Sequence, residues 1–189
     1  MLRMVLSCLL LSVFLPVQAF SELGSDEKCN KIFGRDARSS YDVEVVKLSA
    51  LFLSEIGKTA TPVVCSGSID PYTTVASKLV PDGFQTYFLI LFDANLRLSV
   101  GEEIRGMVAH EVAHIVTDGE NACGRMTSKD AFIDCEHRAD KEGNRLAGRG
   151  QMARSLTSTL DYLSRTRGEG DLFALQVMTD LRRRIFLLR

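Results

Sequence analysis

The pentapeptide His110-Glu111-Val112-Ala113-His114 sets two imidazoles four residues apart. On an α-helix such residues share a face, with side chains about 6 Å apart, near enough for both rings to ligate one zinc ion. Glu111 follows the first histidine by one residue. It stands beside the metal rather than on it, where a carboxylate can take a proton from a water that zinc polarises. Met107, Val108, Ala109 and Ile115 leave no charge around the motif except Glu111 itself. Two histidines in so apolar a helix would be costly to bury without a partner. The plainer alternative is a chance pattern on a core helix. Against it, these are two of only three histidines in 189 residues.

A catalytic zinc site needs a third protein ligand and an open fourth position. Glu136, in Glu136-His137-Arg138-Ala139-Asp140, is the candidate. Glu136 and Asp140 stand one helical turn apart on a common face. Glu136 completes a two-histidine, one-carboxylate set. Asp140 can accept a hydrogen bond from the remaining ring nitrogen of a ligating histidine and so fix its tautomer. Two other arrangements compete. A solvated charged face would pair Glu136 and Asp140 with Lys141, Arg138 or Arg145, and His137 in place of Glu136 would make a three-histidine site. Adjacent helical residues point about 100° apart, so Glu136 and His137 cannot easily aim at one ion.

The elements that must position these groups follow from periodicity. Asp42 to Ile56 has helical spacing of Val45, Val46, Leu48, Leu51, Phe52 and Ile56, closed by Gly57. Thr61–Cys65 and Thr86–Phe92 are expected strands, with glycine and proline punctuation between them. The motif helix is expected from Ser99, whose spacing to Glu102 is that of a capping box, to about Val116, with Thr117-Asp118-Gly119 as its stop. Cys123 to Asp134 is expected to be a loop running into a helix from about Ala131 to Leu146, closed by Gly148 and Gly150. Helices near Met152–Ser164 and Asp171–Leu187 complete a helix-rich α+β domain with a small sheet preceding the active-site helix.

Residues 1–19 have the make-up of a secretory signal peptide: Arg3, an apolar run from Met4 to Leu15, and Val17-Gln18-Ala19 before the cut. Residues 20–189 then form one domain, exported to a periplasmic or extracellular space. Its 22 basic and 24 acidic residues give a net charge of −2, so nucleic-acid binding has no overall electrostatic support. Cys8 leaves with the signal, and Cys29, Cys65, Cys123 and Cys135 remain. In an oxidising compartment an even number reads as two disulfides. Pairing within sequence neighbourhoods, Cys29 with Cys65 and Cys123 with Cys135, is preferred to four buried thiols. Zinc ligation by Cys123 or Cys135 is the further alternative. The C-terminal Leu181-Arg182-Arg183-Arg184-Ile185-Phe186-Leu187-Leu188-Arg189 mixes basic and apolar residues. Docking of a terminal helix on the core is preferred to contact with a membrane surface.

The stretch from Glu102 to His114, Glu-Glu-Ile-Arg-Gly-Met-Val-Ala-His-Glu-Val-Ala-His, resembles the active-site helix of gluzincin metallopeptidases. Among these it is most similar to the CAAX-prenyl-protease and HtpX-like family, whose third ligand comes from a Glu-x-x-Ala-Asp helix that Glu136-His137-Arg138-Ala139-Asp140 matches. The resemblance covers about residues 84–163. It implies a zinc-dependent endopeptidase with a peptide or protein substrate, His110, His114 and Glu136 as ligands, Glu111 as catalytic carboxylate and Asp140 behind the ligands. It also implies a zincin-like fold in which an edge strand lies along the substrate. Thr86–Phe92 could be that strand or a buried core strand. Glu136 follows His114 by only 22 residues, and no histidine follows His137 to match the family's late His-Pro element. Tyr162 and one of Arg182, Arg183 and Arg184 are therefore the candidates for stabilising an oxyanion. A zinc-binding adaptor or inhibitor without proteolysis is the competing function, although a purely structural site would not need Glu111.

Overall fold

The computed structural model describes residues 23–40, 42–69, 73–94, 102–117, 123, 128–167 and 171–189. They form six α-helices and one four-stranded sheet. In chain order these are α1 (Ser25–Phe33), β1 (Arg38–Ser39), α2 (Val43–Glu55), β2 (Thr61–Gly67), β3 (Val75–Asp82), β4 (Gln85–Asp93), α3 (Glu102–Thr117), α4 (Lys129–Ala147), α5 (Gln151–Thr166) and α6 (Leu172–Leu187). The fold class is the expected α+β. The signal segment, Ser99 and the Asp118-Gly119 stop lie outside the described residues.

The sheet runs β1-β2-β4-β3. β2 and β4 are parallel, and β3 joins β4 as an antiparallel hairpin whose two-residue turn is Gly83-Phe84, with Gly83 at φ +58°. β4 is an interior strand, buried continuously from Tyr87 to Leu91. Its apolar run reads as period two between two cores. Phe88 and Ile90 pack with Val45 and Phe52 of α2 and Val108 and Val112 of α3, while Tyr87, Leu89 and Leu91 meet Cys29, Ala37 and Cys65 on the opposite face. Of the two roles open to Thr86–Phe92, the structure shows the buried core strand. The sheet edge beside α3 is β3 (Val75–Asp82), for which no strand is expected from sequence because Lys78 and Pro81 interrupt its apolar pattern. Proline is tolerated there because an edge strand needs no donor on its outer side.

The helical half is built around α3, where Val108, Ala109, Val112 and Ala113 are wholly buried. Two glycines let its neighbours approach closely. A Cβ at Gly106 would fall 2.0 Å from Ser155 Oγ and 2.7 Å from the Gln151 carbonyl, so α5 crosses directly on that turn. A Cβ at Gly143 would stand 3.1 Å from the backbone N and Cα of His110, so α4 lies against the turn that carries the first histidine. Ser128 caps α4 by accepting from the Ala131 amide, which starts the helix at Lys129, before the expected Ala131. α6 docks on α5 through Ala174, Met178, Leu181 and Ile185, packed with Met152, Leu156 and Leu163, leaving Phe186 and Leu187 exposed.

Both expected cysteine pairs are present. Cys29–Cys65 joins α1 to β2 across 36 residues, and Cys123–Cys135 closes 12 residues onto α4. Two disulfides fit an oxidising, exported setting. No described helix is long and apolar enough to cross a membrane.

Candidate metal centre

The i, i+4 spacing on α3 turns His110 and His114 to the same side, with their Nε2 atoms 3.1 Å apart and their rings edge to face. α4 delivers Glu136 to the same point. Its Oε2 is 3.3 Å from His110 Nε2 and its Oε1 is 3.7 Å from His114 Nε2. Between two imidazole nitrogens so close only one hydrogen can lie, and the carboxylate adds acceptors rather than donors. Lone pairs thus converge on one point. That donor set suits a cation, and the three residues can hold a metal ion. Each is largely buried, with side chains 12, 20 and 14% exposed in the order His110, His114 and Glu136.

Behind the donors lies a charged layer. Asp140 Oδ1 makes a 2.9 Å ion-pair contact with His110 Nδ1, on the side of the ring away from the Nε2 that faces Glu136 and His114. Arg184 of α6 grips Asp140 with both arms, Nε to Oδ2 at 2.6 Å and NH2 to Oδ1 at 2.7 Å, and its NH1 lies 3.2 Å from Glu136 Oε2. Burial works against a charged His110, but Asp140 and Glu136 outweigh it and lift its pKa to about 10. Burial also pulls the Glu136 carboxyl up, and His110, Arg184 and His114 overcome it, bringing the pKa down to about 2. Asp140 is likewise opposed by burial, yet Arg184 and His110 hold it well below the ordinary aspartate range. For Arg184, burial is outweighed by Asp140, Glu136 and Asp180, which raise its already high pKa. A proton on His110 Nε2 occupies the lone pair that a metal would take, so proton and metal compete for the site.

Glu111 is buried next to the histidines, and its Oε2 accepts a hydrogen bond from Ser77 Oγ at 2.7 Å. Ser77 belongs to β3, on the face turned to α3 with Val75 and Leu79. The edge strand is thereby fixed beside the one carboxylate of α3 that stands next to the paired rings. Ser77 carried no signal in the sequence, since a serine in an unrecognised strand has nothing to mark it.

His137 takes no part in this convergence. Its Nε2 is 3.7 Å from Asp180, on the α6 side. Lys141, Arg138 and Arg145 do not account for Glu136 and Asp140 either, because Arg184 does and Arg145 pairs with Glu142. Among the oxyanion candidates, the Tyr162 hydroxyl donates to Asp93 Oδ1 at 3.2 Å, and Arg182 and Arg183 are exposed. Arg184 sits behind the ligands, where it positions carboxylates rather than faces a reacting group. A signal for it existed: it lies beside Ile185 and three residues after Leu181, on the apolar side of α6.

A second donor group adjoins the first. Cys123 Sγ lies 3.3 Å from His114 Nδ1, and His114, Cys123 and Cys135 together could also hold a metal ion. Comparison with protein-family models, with curated proteins and with solved structures finds no match for this chain.

Proposed function

We propose that the protein is an exported zinc-dependent endopeptidase of gluzincin type. The observation that carries this reading is the convergence of His110, His114 and Glu136 with Glu111 held alongside by Ser77. Zinc–nitrogen bonds of about 2.0–2.1 Å at tetrahedral angles put neighbouring ligand atoms roughly 3.3–3.4 Å apart, and the observed separations of 3.1, 3.3 and 3.7 Å bracket that value. Three protein donors leave a coordination position for water, as catalytic zinc sites do.

When bound, zinc would polarise a peptide carbonyl and acidify a water molecule. The chain supplies the rest. Glu111 accepts the water proton and passes it to the leaving amine. Ser77 holds Glu111 Oε2 in place for that transfer. Asp140 and Arg184 fix the orientation of His110 and Glu136, so that no reorganisation is needed during reaction. The outer edge of β3 has no strand partner among the described residues, and an extended polypeptide pairing with it would pass beside Glu111. An adaptor or inhibitor would need the metal for stability but would have no use for a carboxylate poised at its side.

The test is zinc analysis of the purified mature protein together with casein hydrolysis before and after chelation. One zinc per chain, activity lost to the chelator, and activity restored by added zinc are expected. Full hydrolysis by protein stripped of metal would reject the reading.

A further inference from the structure

The two donor groups share His114 through different nitrogens. Nε2 faces His110 and Glu136, whereas Nδ1 faces Cys123 Sγ at 3.3 Å. The donor atoms of His114, Cys123 and Cys135 all lie within 4.8 Å of one another. In the disulfide, neither sulfur is an effective ligand, because the thiolate is the metal-binding form. We infer that reduction of Cys123–Cys135 creates a second metal site, in which the two thiolates and Nδ1 of His114 take a thiophilic divalent ion such as zinc.

A dithiol reductant would supply two electrons and two protons. The S–S bond breaks, two thiols form, and the reductant closes its own disulfide. Binding of the ion then releases both thiol protons. A neutral imidazole has one unprotonated nitrogen, so His114 can serve through Nε2 or through Nδ1 but not through both. The sulfur site and the His110–His114–Glu136 set therefore compete for one ring. Reduction draws His114 out of the open set and leaves the ion among sulfur ligands. The other disulfide cannot do this. Cys29 and Cys65 lie in the sheet core beside Ala37, Leu89 and Leu91, and among the described residues no histidine or carboxylate joins them in a donor group, whereas Cys123 and Cys135 share one with His114. The consequence for hydrolysis rests on the proposed function; the sulfur site itself does not.

Cobalt(II) reads out the site without any use of turnover, because cobalt–thiolate bonds give a charge-transfer absorption that nitrogen and oxygen ligands lack. The mature chain, residues 20–189, with both disulfides intact and loaded with cobalt should show no such band. After reduction by a phosphine, which becomes the phosphine oxide with oxygen from water as the thiols form, and after removal of the reagent, the band should appear. Its absence overturns the inference. Reduced Cys123→Ser/Cys135→Ser should stay without the band; its presence there would assign the sulfur to Cys29 and Cys65 and overturn the inference equally. Cys123→Ser alone needs no reductant and keeps the Cys29–Cys65 bond. It should show a weaker band from Cys135 that is lost when His114→Ala is added, and no band in that variant is again a rejection. A protein that shows these bands without cleaving peptides keeps this inference and loses the proposed function. A metal-dependent peptidase without them does the reverse.

Discussion

The two disulfides tie down regions of opposite character. Cys29–Cys65 sits in an apolar layer with Ala37, Tyr87, Leu89 and Leu91, where burial and shape decide the residues. Cys123–Cys135 adjoins His110, His114, Glu136, Asp140 and Arg184, where buried charges touch one another at 2.6–3.7 Å. Burying charges is expensive, and even well-paired buried ions are weak evidence of stability. The sheet side is thus explained by packing alone. The helical side is not, and perturbed titratable groups gathered around converging donor atoms mark a candidate functional site. The difference lies in what would be left if each region were cut to alanine: a cavity on one side, stranded charges on the other.

The contrast can be broken most forcefully at Arg184. Arg184→Ala leaves the two buried carboxylates of Asp140 and Glu136 with only His110 to balance them, a loss of about 3–5 kcal/mol in urea unfolding of the metal-free protein. A loss below about 1 kcal/mol would mean that the layer is far more hydrated than its burial implies. The cysteine pairs come next. Cys29→Ala/Cys65→Ala should cost about 3–4 kcal/mol of stability, and Cys123→Ala/Cys135→Ala about 3 kcal/mol, both in the chain-entropy view. Only the second should also weaken zinc binding, as measured by competition with a chromophoric chelator. Equal zinc affinity in the two double variants would erase the distinction between the regions.

Titration sharpens the same contrast. The pKa of His110 is raised from 6.5 to about 10. Its contribution to folding is therefore complete below about pH 6.5 and is lost as pH rises through about 10. Glu136 is lowered from 4.5 to about 2, so its contribution is present above about pH 4.5 and is lost as pH falls toward 2. The metal-free protein should accordingly lose thermal stability on both sides of pH 4.5–6.5. Bound zinc should flatten the alkaline limb, since the metal replaces the proton. An alkaline limb unchanged in His110→Ala would assign the effect elsewhere.

Smaller effects separate the ligands from their surroundings. Glu136→Ala should lower zinc affinity severely and Asp140→Asn by about 10- to 100-fold. His137→Ala, whose ring faces Asp180, should leave affinity unchanged. Release of zinc by His137→Ala with retention by Glu136→Ala would exchange their roles.

How much of this was legible in the sequence depended on whether the signal was local. His110, His114, Glu136 and Asp140 were readable because one helical turn fixes each pair on a common face. The cysteine pairing was legible only as a preference for partners in the same half of the sequence, which the two disulfides match. β3 was not readable, because an edge strand may carry Lys78 and Pro81 and so loses the alternation that marks a strand. Nor was α1, whose only full burial comes from Cys29 and the stem of Lys28. Arg184 could have been singled out by its place beside Leu181 and Ile185, but its partners on α4 lie 44 residues away and no periodicity announces them. Ser77 and the close approach of Gly143 to His110 are tertiary facts, set by how β3 and α4 meet α3.

The central claim, that Glu111 moves the proton while the neighbouring residues hold the metal, is tested most directly by Glu111→Gln. This change keeps the shape of the side chain and removes its basicity. Casein cleavage by zinc-loaded variant and wild type, at equal metal content, is the measurement. The expected result is full zinc occupancy with turnover reduced by at least about 100-fold. Cleavage at the wild-type rate by the zinc-loaded variant would contradict the mechanism.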